Sequence, residues 1–376
     1  MRSRLIGIAC STALLVAACA GSQNGTTKAV AALSAASCKG VTLRFLGLAG
    51  EDGKAVTAAF QQKYHMKIAE TNVADWPTAI SAIKVGQPYD LMTVPMWYAQ
   101  RMIAAGIVRP LDTARLTAWK DLFIGVSKNS LIQGKDGTVY GAPIGWGDGP
   151  FVYNPKLVSH PPTSALELLK PQWKHKFVLF NSNAIMDLLA LEDGYTKAPL
   201  LTRAQFNVVV AQTRQLVANA QAFTTSYQDG TDRLVAGDVP IDMTGWEAML
   251  NFAKAKGVTL RYGFYKKDLG GWFDSLGIPV TAAHPACALA YINYVLQPKV
   301  EAALATSISS GTTNSKAVPY LGKSDRIYNY SLVEHIVTPA QDLIQFPNPT
   351  PPNNTPKGIM NFQDWNNAWQ SITAGH

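Results

Sequence analysis

From residue 41 onward, short apolar runs alternate with longer stretches of helical spacing. Residues 41–48 are apolar and β-branched enough for a buried strand, and the apolar positions of 53–64 recur at helical intervals. Residues 66–71 read as a second strand, 77–85 as a helix and 89–94 as a third strand that Pro95 stops. Residues 97–105 then read as a helix closed by Gly106. This alternation argues for a mostly parallel sheet covered by helices. In open sheets of that kind, ligands sit beyond the carboxyl ends of the strands. The turns at 47–53 and 95–98 are therefore candidate site turns.

The pattern then repeats in kind, without a detectable internal sequence repeat. A short strand is predicted at 177–180, helices at 184–192 and 202–218, and strands at 240–244 and 259–264. The chain returns through an extended segment at 272–279 and a helix at 285–297. Two segments, near 143–150 and 265–272, link the two units. Both are glycine-bearing, with Gly145, Gly147 and Gly149 in one and Gly270 and Gly271 in the other. Paired glycine-bearing crossings suit a hinge, although ordinary loops also collect glycine. Residues 346–357 carry Pro347, Pro349, Pro351, Pro352 and Pro356 and read as an extended connector. Residues 361–372 form a candidate final amphipathic helix.

The first 18 residues change this picture. Arg2 and Arg4 precede an apolar run at 5–18, the form of an export signal outside the fold. Val16-Ala17-Ala18-Cys19 resembles a lipoprotein signal, which implies cleavage before Cys19 and acylation of its thiol. Residues 18–20 also fit the small-x-small site of the ordinary signal peptidase, which would release a soluble protein. Residues 20–37 are rich in Ala, Ser, Thr, Gly and Asn, as a flexible tether would be. No later stretch is long and apolar enough to span a bilayer.

At 47% hydrophobic and 15% charged the remainder is globular, and it is long enough for two separate cores. The formal charge of +8 comes from scattered Lys and Arg with no basic run. Behind an export signal, that makes nucleic acid a poor partner. Of four cysteines, Cys10 leaves with the signal and Cys19 would be acylated. Cys38 and Cys287 remain, and an exported compartment permits them to pair.

The candidate chemistry centres on 270–279, Gly-Gly-Trp-Phe-Asp-Ser-Leu-Gly-Ile-Pro. In an extended segment Trp272 and Asp274 point to the same side. An aromatic face beside a carboxylate suits an ammonium group, through cation–π attraction and charge-assisted hydrogen bonds. The bland alternative is a strand with a half-buried Trp and a surface Asp. Trp97, Trp146 and Trp246 also lie at predicted strand ends or glycine turns. Of these, Trp97 and Trp246 join Trp272 as candidate walls, and aromatic walls suit an organic cation. Asp90, inside a strand, reads as structural.

The decapeptide resembles the return strand of the polyamine-type solute-binding proteins of ABC importers, the spermidine/putrescine-binding family. Residues 41–48, 86–98 with Tyr89-Asp90-Leu91 and Trp97-Tyr98, 142–154, 166–179, 236–246 and 291–300 resemble further segments of that family. Together they cover about 41–315 in order. The resemblance implies an α/β, two-lobed periplasmic-binding-protein-like fold (type II), with the ligand cleft between the lobes. Each lobe would be a mostly parallel sheet flanked by helices. The expected division is a signal at 1–18 and a tether at 19–40. Lobe one follows from 41–144 plus 273–325, lobe two from 145–272, and 326–376 packs on the lobes.

The implied function is a monomeric, lipid-anchored receptor that captures a small amine-bearing solute for an ABC permease, without cofactor or metal. Trp272 and Asp274 would hold the amine. Trp246, Trp97, Tyr98, Asn181, Glu51, Asp52 and Glu247 are further ligand candidates. Glu51, Asp52 and Glu247 stand at helix starts, where capping is the default reading. The family's acids after the 177–180 strand fall on Asn181 and Ala184, so both charges are missing, and Asp187 is the nearest substitute. The ligand's far end should then be neutral or anionic. No metalloprotease, nucleophile-elbow, redox or phosphate-loop motif occurs. The alternatives are a thiaminase-like transferase on the same fold, needing a cysteine on a cleft turn, and a non-transport surface lipoprotein.

Overall fold

The computed structural model describes residues 38–47, 53–73, 76–224, 226–267, 271–333 and 355–374. The export signal, Cys19, the tether, Glu51, Asp52, Gly270 and most of the proline-rich connector lie outside the described residues.

In chain order the first unit holds β1 (Thr42–Gly47), α1 (Lys54–Tyr64), β2 (Lys67–Asn72), α2 (Trp76–Lys84), β3 (Leu91–Pro95) and α3 (Met96–Ala104). A single-turn α4 (Ile124–Ser127) and β4 (Ala142–Gly147) follow. The second unit holds β5 (Phe151–Tyr153), β6 (Phe177–Phe180), α5 (Ala184–Glu192), α6 (Arg203–Asn219), β7 (Ala222–Thr224) and α7 (Tyr227–Ala236). It continues with β8 (Ile241–Asp242), α8 (Met249–Ala255) and β9 (Arg261–Gly263). The chain then returns as β10 (Trp272–Gly277), α9 (Pro285–Val295) and α10 (Pro298–Ser307), and ends with the single turn α11 (Tyr330–Val333) and with α12 (Phe362–Thr373).

The strands form two five-stranded sheets, ordered β2-β1-β3-β10-β4 and β7-β6-β8-β5-β9. Both are mixed, which corrects the expectation of mostly parallel sheets. β1 is parallel to β2 and β3, but β10 is antiparallel to β3 and β4. Likewise β6 is parallel to β7 and β8, whereas β5 is antiparallel to β8 and β9. The physical reason is common to both. β5 and β10 each enter their sheet from the opposite unit, so no helical crossover within the unit forces them parallel.

The first sheet is covered on one face by a core of Leu43, Phe45, Phe60, Leu276, Tyr291 and Ile292, under α1 and α9. Cys38 and Cys287 lie in this core and are joined by a disulfide with Cα atoms 5.8 Å apart. The other face packs Ile83, Met92, Met96, Met102 and Phe273 under α2 and α3. The second sheet buries Phe177, Leu179, Ile185, Leu189 and Phe206 under α5 and α6. Val178, Leu234 and Met249 fill its other side.

Two of the glycines read as hinge candidates have another cause. Gly145 and Gly147 lie within the fully buried strand β4. A Cβ at Gly145 would come 2.6 Å from Ser310 Oγ, and one at Gly147 would come 2.9 Å from the Trp272 indole. Close approach of neighbouring side chains, not backbone bending, demands glycine there. The chain between the sheets on this side is only 148–150.

α12 is the amphipathic helix expected at the C-terminus. Asn361 caps it in a reciprocal box with Asp364, and Trp365, Trp369 and Ile372 are buried. Trp365 meets Phe206 of α6 edge-on at 5.3 Å, and Trp369 meets Phe223 of β7 at 6.0 Å. At its start, the Arg101 guanidinium of α3 lies 4.7 Å from the Phe362 ring, so the helix also touches the first unit.

Candidate functional site

The pairing register fixes what meets between the sheets. Asp274 stands opposite Pro95 and Gly145, so the beginning of β10 lies at the carboxyl ends of β3 and β4. In the second sheet Val152 stands opposite Asp242, which puts the beginning of β5 at the carboxyl ends of β6 and β8. Residues 148–150 join these two ends directly, so both sheets present their carboxyl ends to the same place.

A row of aromatic rings crosses it. Phe180, last in β6, stacks on Tyr227, first in α7, at 5.5 Å and 10°. Tyr227 lies 5.3 Å from Trp246, in the turn after β8, and Trp246 lies 6.2 Å from Trp272, first in β10, edge-on at 63°. The row therefore begins in the second sheet and ends in the first. Trp246 and Trp272 are both half-buried. Trp272 rests over Gly147, where any side chain would collide with it.

Trp97 and Tyr98 are half-buried at the start of α3, against the same core as Trp272. Met96 Sδ accepts the Phe273 N–H at 3.3 Å, which ties that helix start to β10. Tyr98 packs near Trp76 at 6.1 Å. Asp274 is buried at 5% exposure, two residues beyond Trp272. The register slips just after it, between Asp274 and Ser275, and such an irregularity re-aims neighbouring side chains.

Other candidates have structural partners. Trp146 is fully buried and donates to the Thr312 carbonyl at 3.0 Å. Asp90 accepts from the Arg44 and His284 backbone N–H groups, at 3.0 and 2.8 Å, which is the structural role expected of it. The Asn181 side-chain carbonyl accepts from the Trp369 indole N–H at 2.9 Å, and Asn183 donates to Asn366 at 2.9 Å. The turn after β6 is thus engaged by α12. Asp187, one helical turn on, has a buried carboxyl oxygen without a hydrogen-bond partner, and burial pushes its pKa up to about 8. It is largely protonated at neutral pH and supplies little charge.

Glu247 corrects the capping reading. The helix beyond it starts at Met249, is preceded by Ala248 and has no side-chain cap. Glu247 is instead 1% exposed, and its Oε1 accepts the Asp148 backbone N–H at 3.0 Å. Burial, then the nearby Asp148 carboxyl, hold its pKa well above the ordinary carboxylate range. Cys287, the thiol a thiaminase-like transferase would need, is bonded to Cys38 in the first core. Among the described residues, no three His, Cys, Asp or Glu side chains are grouped to hold a metal.

Sequence reasoning missed Phe180, Tyr227 and Asp148. Phe180 ends a predicted strand, which is a usable signal. Tyr227 and Asp148 carried no motif, because their place depends on which elements the two crossings bring together.

A profile of the family described as bacterial extracellular solute-binding protein matches residues 55–330. The chain belongs to that family. This solute-binding protein is 26% identical over 238 residues to the spermidine/putrescine-binding periplasmic protein of Salmonella typhimurium, covering 61% of this chain and 64% of that protein. The match therefore spans slightly under two thirds of the relative's length. Among solved structures, the spermidine/putrescine ABC transporter substrate-binding protein PotD of Streptococcus pneumoniae superposes with a TM-score of 0.68 at 18% identity, covering 89% of this chain and 98% of that one. The TpPotD lipoprotein of Treponema pallidum superposes at 0.72 with 14% identity, covering 88% and 99%. At such identities the likeness speaks for the fold, which is the two-lobed arrangement of the solute-binding family.

Proposed function

We propose that this chain is the substrate-binding component of an ABC importer, exported and tethered outside the membrane through Cys19. In this reading it captures a small amine-bearing solute between its lobes and presents it to a permease. The observation that carries the reading is the aromatic row that ends at Trp246 and Trp272, one ring from each sheet, beside the buried Asp274. Aromatic faces and a carboxylate together recognise an ammonium group, and contacts made by both lobes at once favour the closed state. Relatives named for spermidine and putrescine binding support the same ligand class.

The ligand is best matched by a molecule with one cationic end. A buried ammonium needs a charged partner, and an unpaired one costs several kcal/mol. At the far turn Asn181 brings no charge and is held by Trp369, Ala184 brings none, and Asp187 is mostly neutral. Asn181 is accordingly a support for that turn, while Trp97, Tyr98, Glu51 and Asp52 remain the proposed first-lobe contacts.

Native mass spectrometry of freshly purified protein would identify a co-purified ligand. A thermal-shift panel at fixed salt would then compare monoamines, acylated polyamines, quaternary amines, putrescine and spermidine. The reading expects at least one amine to stabilise the protein, and a mono-cationic one the most. If spermidine or putrescine outranks every mono-cationic compound, the one-cation inference is wrong. If no amine stabilises it, the amine reading falls.

A further inference from the structure

Asp148 and Glu247 meet where the first crossing leaves β4, next to Gly147 and its overlying Trp272. Asp148 belongs to the crossing itself, and Glu247 follows Trp246 in the turn after β8. Both are almost wholly buried, at 3% and 1% exposure. The Asp148 backbone N–H satisfies Glu247 Oε1, and the two carboxyls are within mutual hydrogen-bonding reach. The other oxygen, Glu247 Oε2, is buried with no hydrogen-bond partner.

The groups around the pair do not neutralise it. Tyr262 of β9 and Tyr328, just before α11, are both close enough to sense the two carboxylates, which hold the phenol pKa values up. Yet Tyr262 donates to the Ile327 carbonyl at 2.9 Å, and Tyr328 donates to the Ser309 carbonyl. Neither phenol proton goes to Glu247. Among the described residues, none of the Lys or Arg ion pairs involves Glu247. Two carboxyls this close in a desolvated place cannot both carry charge without a counter-cation, so they share a proton. The neighbouring indoles of Trp246 and Trp272 offer what an ammonium would use next to a carboxylate.

We infer that Asp148 and Glu247 form a proton-sharing anchor for the ligand's ammonium group, and that capture of the cation expels the shared proton to solvent. This rests on the amine reading above and goes beyond it, by assigning a site to Asp148 and a proton to each capture event. The exchange balances locally. One positive charge, the proton, leaves, and another, the ammonium, takes its place between the same two carboxyls. The sign follows. Where the pair holds its proton, a rise in pH removes a competitor, so affinity increases with pH and levels off once the pair is ionised. The limiting slope is about tenfold in affinity per pH unit, for one proton released per ligand.

The test is calorimetric titration of the intact mature protein with N-acetylputrescine and with putrescine, each carrying an ammonium group. It is run at pH 6 in two buffers of different ionisation enthalpy. The expected result is proton release of up to one per ligand for the wild type. It should fall close to zero in Glu247→Gln and in Asp148→Asn, with weakened but measurable binding. Asp187→Asn, whose carboxyl also holds a proton but lies beyond the turn after β6, should leave the release unchanged. Binding with no proton release by the wild type would overturn the proposal while leaving the amine reading intact, and needs no variant to fold. Release that persists in Glu247→Gln, or vanishes in Asp187→Asn, would also overturn it, by tracing the proton elsewhere. If neither amine binds at any pH, the amine reading fails and this proposal fails with it.

Discussion

Asp274 and Glu301 are both buried acids, and opposite consequences follow from what surrounds them. Asp274 lies on β10 near Trp272, and the proposed role is to pair with an ammonium. Asp274→Asn should then weaken binding of the identified amine by about 2–5 kcal/mol, because the cation would be left poorly paired. Calorimetry decides, and unchanged affinity would take Asp274 out of the site. Glu301 instead holds a loop. It accepts from the Thr313 N–H at 2.6 Å, the Thr313 hydroxyl at 2.7 Å and the Asn314 N–H at 3.0 Å, and also from the Thr312 hydroxyl. Burial outweighs these donors and pushes its pKa up to about 7. An acid whose folded pKa is raised holds its proton after the unfolded chain has lost it. Its contribution to stability is therefore full below the ordinary carboxylate range and falls as pH rises from about 4.5 to about 7. On the order of 3 kcal/mol is at stake across that window. In Glu301→Gln the melting temperature should depend less on pH between 5 and 7. An identical slope in the variant would refute the assignment.

At the scale of elements, α12 shows how pattern and placement separate. Its polar and apolar spacing marked a helix at 361–372, and the structure has it at Phe362–Thr373 with Asn361 as its cap. Nothing in the spacing said that Trp369 would reach back to Asn181 or that Phe362 would receive Arg101. Trp369→Ala should cost about 3–5 kcal/mol, the usual range for emptying a large buried aromatic site. Trp369→Phe should cost about 1 kcal/mol, chiefly the lost hydrogen bond to Asn181. Urea unfolding would compare the two, and an alanine variant within 1 kcal/mol of wild type would mean that the helix does not hold the second lobe. Most other elements were legible for the same reason as α12. Strands at 177–180 and helices at 184–192 carry hydrophobic runs whose length and punctuation are local properties. β8 and β9 proved shorter than their apolar runs, because pairing with β5 is only two or three residues long.

For the whole molecule, the proposed motion is closure about the chain crossings between the sheets. Solution scattering should give a smaller radius of gyration at saturating amine than without it. Superimposable profiles, with binding confirmed separately, would remove the hinge from the mechanism. The crossing at 148–150 is short and its Asp148 is buried against Glu247, so bending there has to move the acid pair. Ligand capture, lobe closure and the proposed proton release would on this geometry be one event.

The sequence by itself determined the strand–helix order, the two-unit division and the aromatic and acidic residues at strand ends, because periodicity and turn chemistry are written in neighbouring residues. It also held the order of segments that marks the solute-binding family. Only the tertiary structure decided that both sheets are mixed, that Gly145 and Gly147 serve close packing, and that Asn181 is held by α12. The same is true of the meeting of Glu247 with Asp148, 99 residues away in the chain. Each of those depends on which distant segments the two crossings bring into contact. Burial and pairing are properties of that contact, and no local pattern encodes them.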